Sequence, residues 1–306
     1  MTDRLIAPVL HGDDRPKVNV AVVIPVHNRA KMLARALRSI ESQTVRPAEV
    51  IVVDDLSEDD SRNVALSHGA TLVQMPVNGG SGRARNAGIT RATAQWVAFL
   101  DSDDEWLPHH LELLVAAAEG EGLVTAPSVT TAGRVMGNAW RRRVRLSPRR
   151  LLVPGNIITT SGTMVRRDLL DGIGAFRPLP RAQDLDLWLR VIERAPGVAL
   201  PRPTVRYHVH DDQASSDRTL TRQCFDDIMA SHAKSAWLDA RTREQAYARV
   251  RWDDFRAAMR AGERREAIAD LGWLARRPRT WSPLLQLFAS RRASRHPSGG
   301  TAWSTS

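Results

Sequence analysis

Trp96-Val-Ala-Phe-Leu-Asp-Ser-Asp-Asp-Glu-Trp106 is the stretch on which the fold of this chain turns. An apolar, β-forming run stops abruptly in Asp101, Asp103, Asp104 and Glu105. Carboxylates gathered this closely repel one another unless water, a cation or basic partners neutralise them. Two of them spaced i and i+2 beyond a strand can offer oxygens to a hard divalent cation such as Mg²⁺ or Mn²⁺, which in turn binds phosphates. A solvated acidic turn has the same spelling, so the flanking sequence has to decide.

Upstream, strands and helices alternate. Val18–Val26 is a β-branched run, and Ala30–Gln43 has helical spacing, with Met32, Leu33, Ala36, Leu37 and Ile40 on one face. Glu49–Val53 is a second strand ending in Asp54-Asp55. Ser57–His68 reads as a helix with Ser57 as N-cap, and Ala70–Met75 as a third strand. Gly79-Gly80-Ser81-Gly82 opens a helix over Arg83–Ala94 that leads into the Trp96–Leu100 strand. Continuous rather than alternating apolar strands imply a mostly parallel sheet flanked by helices. Ligands of such sheets bind beyond the carboxyl ends of the strands. Three strand ends carry polar or acidic residues there: His27-Asn28-Arg29, Asp54-Asp55 and Asp101–Glu105.

Downstream, Leu107–Glu119 reads as a helix and Leu123–Thr130 as a strand. Arg134–Arg150 is a basic connector containing Trp140. Thr159–Val165 reads as a strand, Asp171-Gly172-Ile173-Gly174 as a turn, Leu185–Arg194 as a short helix and Val205–Val209 as a last strand. Thr219–Ala275 is helical throughout. The expected division is a flexible leader (1–17), an α/β domain (18–215), a helical C-terminal extension (216–290) and a disordered Ser/Gly/Thr-rich tail (291–306).

The 306 residues are 42% hydrophobic and 25% charged, the composition of a chain with a substantial core. One cysteine, Cys224, excludes an internal disulfide framework. Neither a signal-peptide-like start nor an apolar run of about 20 residues is present, so a cytoplasmic location is expected. The net charge of +10 is uneven: residues 134–150 hold seven arginines and no acid, and residues 241–306 hold 14 arginines against six acids. These patches either solvate helices or meet an anionic membrane surface or a phosphate-bearing substrate. No nucleic-acid-binding module accompanies them, and nucleic acid is not an expected partner.

Four ordered blocks within about residues 18–210 resemble the inverting, GT-A-fold glycosyltransferases of family 2. They are Val22-Val23-Ile24-Pro25-Val26-His27-Asn28-Arg29, Val52-Val53-Asp54-Asp55-Leu56-Ser57, Asn78–Gly88 with its glycines and Arg85, and Asp101-Ser102-Asp103. The resemblance implies a GT-A-type nucleotide-binding fold and a sugar nucleotide, UDP-linked or related, held across the strand ends. It implies that Pro25, His27 and Arg29 line the base and ribose pocket, and that Asp55 accepts a hydrogen bond from the base. Arg85 would approach the base or diphosphate, with Asp101 and Ser102 completing the donor contacts. Asp103 would ligate Mn²⁺ or Mg²⁺, with Asp101 assisting through water or the ribose. The bland alternatives are a helix-capping role for Asp54-Asp55 and a solvated helix arginine at 85.

Inverting transfer needs a general base on the acceptor hydroxyl. Gln183-Asp184-Leu185-Asp186 resembles the family's Glu-Asp block, with glutamine in place of the first carboxylate. Asp184 would be the base, or else an N-cap, and Asp186 would orient the helix. His210 is a candidate metal ligand, with His208 as the alternative, and Trp106, Trp140 and Trp188 are candidate sugar platforms. The expected activity is metal-dependent inverting transfer to a glycan, lipid-linked intermediate, peptide or small molecule. Peripheral membrane contact through the Arg-rich C-terminus and homodimerisation are expected possibilities. The alternatives are a non-catalytic or regulatory relative, raised by Gln183, and a nucleotidyltransferase of similar fold. The latter needs a Gly-rich, lysine-containing loop where Pro25-Val26-His27-Asn28-Arg29 stands.

Overall fold

The computed structural model describes residues 14–136, 142–153, 158–209 and 218–277. In chain order the first half contains β1 (Lys17–Val26), α1 (Ala30–Glu41), β2 (Arg46–Asp54), α2 (Ser61–Ser67), β3 (Thr71–Gln74), α3 (Gly80–Arg91), β4 (Trp96–Phe99), β5 (Glu105–Trp106) and α4 (His110–Ala116). There follow β6 (Leu123–Thr125), β7 (Ser128–Thr130), β8 (Val135–Met136), β9 (Val144–Arg145), α5 (Pro148–Leu152), β10 (Thr163–Arg166), α6 (Arg167–Ile173), α7 (Gln183–Arg194), β11 (Gly197–Ala199) and β12 (Val205–Tyr207). Helices α8 (Arg218–Ser231), α9 (Ala240–Ala261) and α10 (Arg264–Ala275) close the described chain.

Two compact units result. One comprises the described residues up to Ser147 together with those of 156–217; the other comprises those of 148–155 and those from Arg218 on. In the first, eight strands form a sheet in the order β3-β2-β1-β4-β10-β6-β11-β9. Strands β3, β2, β1 and β4 run parallel, β10 is antiparallel to both of its neighbours, and β6 and β11 are again parallel. Seven consecutive residues of β1, Val20–Val26, are buried, because neighbours cover both edges and helices cover both faces. Leu33, Ala36, Leu37 and Ile40 form the buried stripe of α1, as their spacing requires. Helix α3 approaches so closely that a Cβ on Gly88 would lie 2.4 Å from Val23 Cγ1.

The order of strands β1 to β4 puts Val26, Asp54 and Leu100 at one edge of the sheet. A second sheet, β5-β12-β7-β8, begins where the acidic stretch of β5 pairs with β12.

Several elements differ from the sequence reading, each for a local reason. Helix α2 starts at Ser61, not Ser57, because Ser57 Oγ is engaged by the Asn28 N–H at 3.0 Å. The Leu123–Thr130 segment is two strands in different sheets, since Pro127 has no N–H with which to continue the ladder. Asp171-Gly172-Ile173 lies inside α6, and Gly174 in the left-handed conformation (φ 75°) is its cap. Residues 160–162 form a 3-10 turn before β10, and the basic connector contains β8, β9 and α5.

The helical unit buries Ala248 and Leu274 against Trp252 and Trp273. Asp239 caps α9 by accepting the Thr242 N–H at 2.6 Å. Asp270 is buried too, but it accepts from Arg222 at 2.8 Å and Arg251 at 2.9 Å, so the charge does not go uncompensated. The expected tail 291–306 lies outside the described residues.

Candidate active site

At the carboxyl edge of the parallel strands, acids and arginines far apart in sequence interlock. Asp101 follows β4, and its Oδ1 accepts from Arg85 Nη2 of α3 at 2.5 Å. Asp103 pairs with Arg29, from the loop after β1. Arg35 of α1 donates to the Asp103 carbonyl at 2.7 Å and faces Glu105 Oε1 at 3.1 Å. The charge of the acidic stretch is thus met by four arginines, the fourth being Arg206 of β12, 3.6 Å from Glu105 Oε2. None of these pairings is legible locally, because the partners lie 16 to 101 positions apart.

Asp55, buried after β2, performs a different task. Its two carboxylate oxygens accept the backbone N–H groups of Gly79 and Gly80, at 2.8 and 2.7 Å. It therefore fastens the start of α3 to the end of β2. Glycine at 80 suits this geometry, since its φ is +79°. Neighbouring Asp54 accepts the Ser57 N–H at 3.1 Å and pairs with Arg62 at 3.2 Å, which stabilises the loop into α2.

Pro25 is buried at the end of β1, whereas His27 is exposed, its Nε2 3.2 Å from the Asn78 amide nitrogen. Asn28 takes a left-handed conformation (φ 52°), and its Oδ1 accepts the Glu58 N–H at 2.7 Å. That turn sets the direction of Arg29.

Asp104 is buried beneath the acidic loop. Ser161 Oγ donates to its Oδ2 at 2.6 Å while accepting the Asp101 N–H at 3.1 Å. The His208 N–H reaches Asp104 Oδ1 at 3.3 Å. Burial, and after it the charge of Asp101, pushes the Asp104 carboxyl up to about 8. One serine hydroxyl thus links the acidic loop, the turn before β10 and, through Asp104, the end of β12. Arg35 and Ser161 carry no motif and were not identified from the sequence; only the folded register brings them here.

Asp184 sits half-buried in the first turn of α7. Its neighbour Gln183 donates to the Leu179 carbonyl at 2.6 Å and packs against Gly82, where an added Cβ would lie 1.9 Å from Gln183 Oε1. The start of α7 therefore abuts the start of α3. A cleft of about 580 Å³ opens there, lined in part by Gly79, Gly80, Gly82, Arg83, Phe176 and Gln183. Asp186 is wholly buried and paired with Arg190 at 2.6 Å; Arg190 also donates to the Ile173 and Ala175 carbonyls. This pair anchors the loop that precedes Asp184.

Two candidate sugar platforms are corrected. Trp106 is buried, its Nε1 donating to the Ser161 carbonyl at 2.6 Å, and it stacks on His110. Trp188 is buried against Phe99 and Phe176. Neither can face a sugar ring. Trp140 and His210 lie outside the described residues. His208 Nε2 is 2.6 Å from Glu105 Oε1, and Ser102 is buried within the acidic loop.

Among the described residues no three His, Cys, Asp or Glu side chains converge as a complete metal centre. The hard oxygens of Asp101 and Asp103 nonetheless suit a hard divalent cation, although each acid is here paired with an arginine.

Residues 21–174 match the family described as "Glycosyl transferase family 2". An uncharacterized glycosyltransferase of Nostoc sp. is 39% identical over 35% of this chain and 35% of its own length. The Bacillus subtilis uncharacterized glycosyltransferase YwdF is 28% identical over 70% of this chain and 83% of its own length. The match spans only about a third of the length of the Nostoc and Rickettsia relatives. Among solved structures, S. aureus TarS 1–349 in complex with UDP-GlcNAc is 18% identical, with a TM-score of 0.63 over 91% of this chain and 93% of that one. The mannosyltransferase PcManGT from Pyrobaculum calidifontis, in complex with GDP-Man and Mn²⁺, is 19% identical, with a TM-score of 0.59 over 94% and 82%. At these identities the likeness is one of fold, and the fold is the GT-A type expected from the sequence.

Proposed function

The chain belongs to glycosyl transferase family 2, and from that premise we propose that it transfers a sugar, with inversion, from a nucleotide donor to an acceptor hydroxyl in a divalent-cation-dependent reaction. The observation that carries this reading is the interlocked edge of three parallel strands: Asp55 on Gly79 and Gly80, Arg85 on Asp101, and Arg29 on Asp103. A nucleoside diphosphate is a fitting ligand for such an edge, because it brings both a polar base and concentrated negative charge.

In this reading the donor is UDP-linked, and its base and ribose lie along Pro25, His27, Arg29 and Asp55. Asp55 fixes the glycine segment and faces the base. Arg85 and Arg29, now held by carboxylates, lie ready to meet phosphate oxygens. Asp103 would hold Mn²⁺ or Mg²⁺, with Asp101 and Ser102 beside it and a histidine of the β12 end, His210 or His208, as a further ligand. When bound, the cation stabilises charge on the departing diphosphate. Asp184 takes the proton of the acceptor hydroxyl as that oxygen attacks the anomeric carbon in line with the leaving group. Gln183 supplies no second carboxylate; it wedges α7 against α3 and so sets where Asp184 stands. The acceptor is a glycan, a lipid-linked intermediate, a peptide or a small molecule.

Asp184→Asn tests the assignment. Donor binding should stay within about threefold of wild type, while release of nucleoside diphosphate falls by a factor of roughly 10² to 10⁴, the usual worth of a general base. Unchanged turnover would remove Asp184 from the mechanism. Absence of turnover in the wild type with intact donor binding would favour a non-catalytic relative.

A further inference from the structure

Helix α10 is built inside out. It buries Ala267, Asp270 and Leu274 and turns Ile268 and Leu271 outward, 70% and 45% exposed. Met259, in the last turn of α9, is 58% exposed. A single exposed apolar residue needs no explanation. Here three of the eight large exposed apolar side chains among the described residues fall within residues 259–271. Their setting is also particular. At helical spacing Arg264, Ile268, Leu271 and Ala275 form one outward row, and Arg265, Ala269, Gly272 and Arg276 form the row beside it. Every one of these but Gly272 is exposed, and Gly272 is half-buried.

The outward face is thus apolar in the middle and cationic at both ends. Arg260, Arg264, Arg265 and Arg276 are exposed and make no ion pair with a described residue. The acids nearby are mostly committed: Glu263 pairs with Arg218, and Asp270 with Arg222 and Arg251. Glu266 is the exposed acid of the helix. Short aliphatic side chains bracketed by arginines match an anionic bilayer surface. Ile268 and Leu271 can enter the acyl boundary, while the long arginine stems place their guanidinium groups among lipid phosphates. No helix among the described residues is long and apolar enough to cross a membrane.

We propose that the outward face of α10, with Met259 and Arg260, docks this chain on membranes rich in anionic phospholipid. The proposal is independent of the donor site. It is tested by flotation of the full chain with vesicles of phosphatidylcholine containing 30% phosphatidylglycerol, and with vesicles of phosphatidylcholine alone. Wild type should float with the anionic vesicles only, and much less at 0.5 M than at 0.05 M salt. Ile268→Asp combined with Leu271→Asp should cut the bound fraction at least tenfold with an unchanged circular dichroism spectrum, because neither side chain is part of the buried core. Arg264→Gln combined with Arg265→Gln should weaken binding and flatten its salt dependence. Any of three results would overturn the proposal: no flotation of wild type, binding by the aspartate variant equal to wild type, or a wild-type dimer that this variant dissociates while neither protein binds vesicles.

Discussion

At the scale of the residue, chemistry was legible where a type of side chain announces it. The acids at 101 and 103 stand out, since clustered carboxylates demand compensation, and Arg85 stands out through the resemblance of its glycine-rich segment. What compensates them could not be read, because Arg29 and Arg35 reach the acidic loop only through the register of β1 against β4. Asp55 makes the point most sharply. The sequence suggests a base acceptor, whereas in the fold its two carboxylate oxygens clamp two backbone N–H groups. Asp55→Asn would replace one acceptor with an amide donor facing an N–H group. The expected cost is about 1–3 kcal/mol of stability in chemical denaturation and at least a tenfold loss of nucleotide affinity by calorimetry.

His110 yields a pH prediction. Fully buried, with Nδ1 2.6 Å from Thr204 Oγ1, it has its imidazole pushed down to about 3 by burial. The unfolded chain takes up that proton near pH 6.5, and the folded chain does not until about pH 3. The stabilisation is therefore complete above pH 6.5 and is lost as pH falls through this window, by an amount on the order of a few kcal/mol. His110→Gln should be less stable at pH 7 but show a shallower decline from pH 6.5 to 4 in urea titrations. An equal slope in both proteins would contradict the assignment.

Elements were legible wherever periodicity was strong. The burial of Leu33, Ala36, Leu37 and Ile40 follows from spacing alone, as does the buried run of β1. Short elements escaped: β5 and β11, of two and three residues, are held by their partners in the sheets rather than by any pattern of their own. The platforms at Trp106 and Trp188 failed for a related reason, since composition cannot say which face of β5 or α7 turns inward. Close packing between elements gives a prediction at this scale. Gly88→Ala would place a methyl 2.4 Å from Val23 Cγ1 and 3.2 Å from Val53 Cγ2, forcing α3 away from β1 and β2. The expected loss is about 1–3 kcal/mol of unfolding free energy. Gly82→Ala instead meets Gln183 Oε1, so its effect should fall on turnover more than on stability.

For the whole molecule, charge asymmetry was visible in the sequence before any fold was. The acidic residues of the first half meet arginines at one edge of the large sheet, and the arginine excess of the C-terminal quarter includes four exposed cations around α10. The division into units was only partly legible. Pro148–Arg150, read as the end of the connector, groups with the helical unit, because three-dimensional packing and not chain order decides membership. The family was legible through four ordered blocks, which the fold brings together at the strand ends. The donor site proposed there is tested most directly by calorimetric titration of a panel of nucleotide sugars into wild type and Asp103→Asn, with Mn²⁺ and with chelator. The account predicts that a UDP-sugar binds wild type with Mn²⁺ and that chelation or the substitution weakens binding at least tenfold. Failure of every nucleotide sugar to bind wild type in the presence of Mn²⁺ would contradict it.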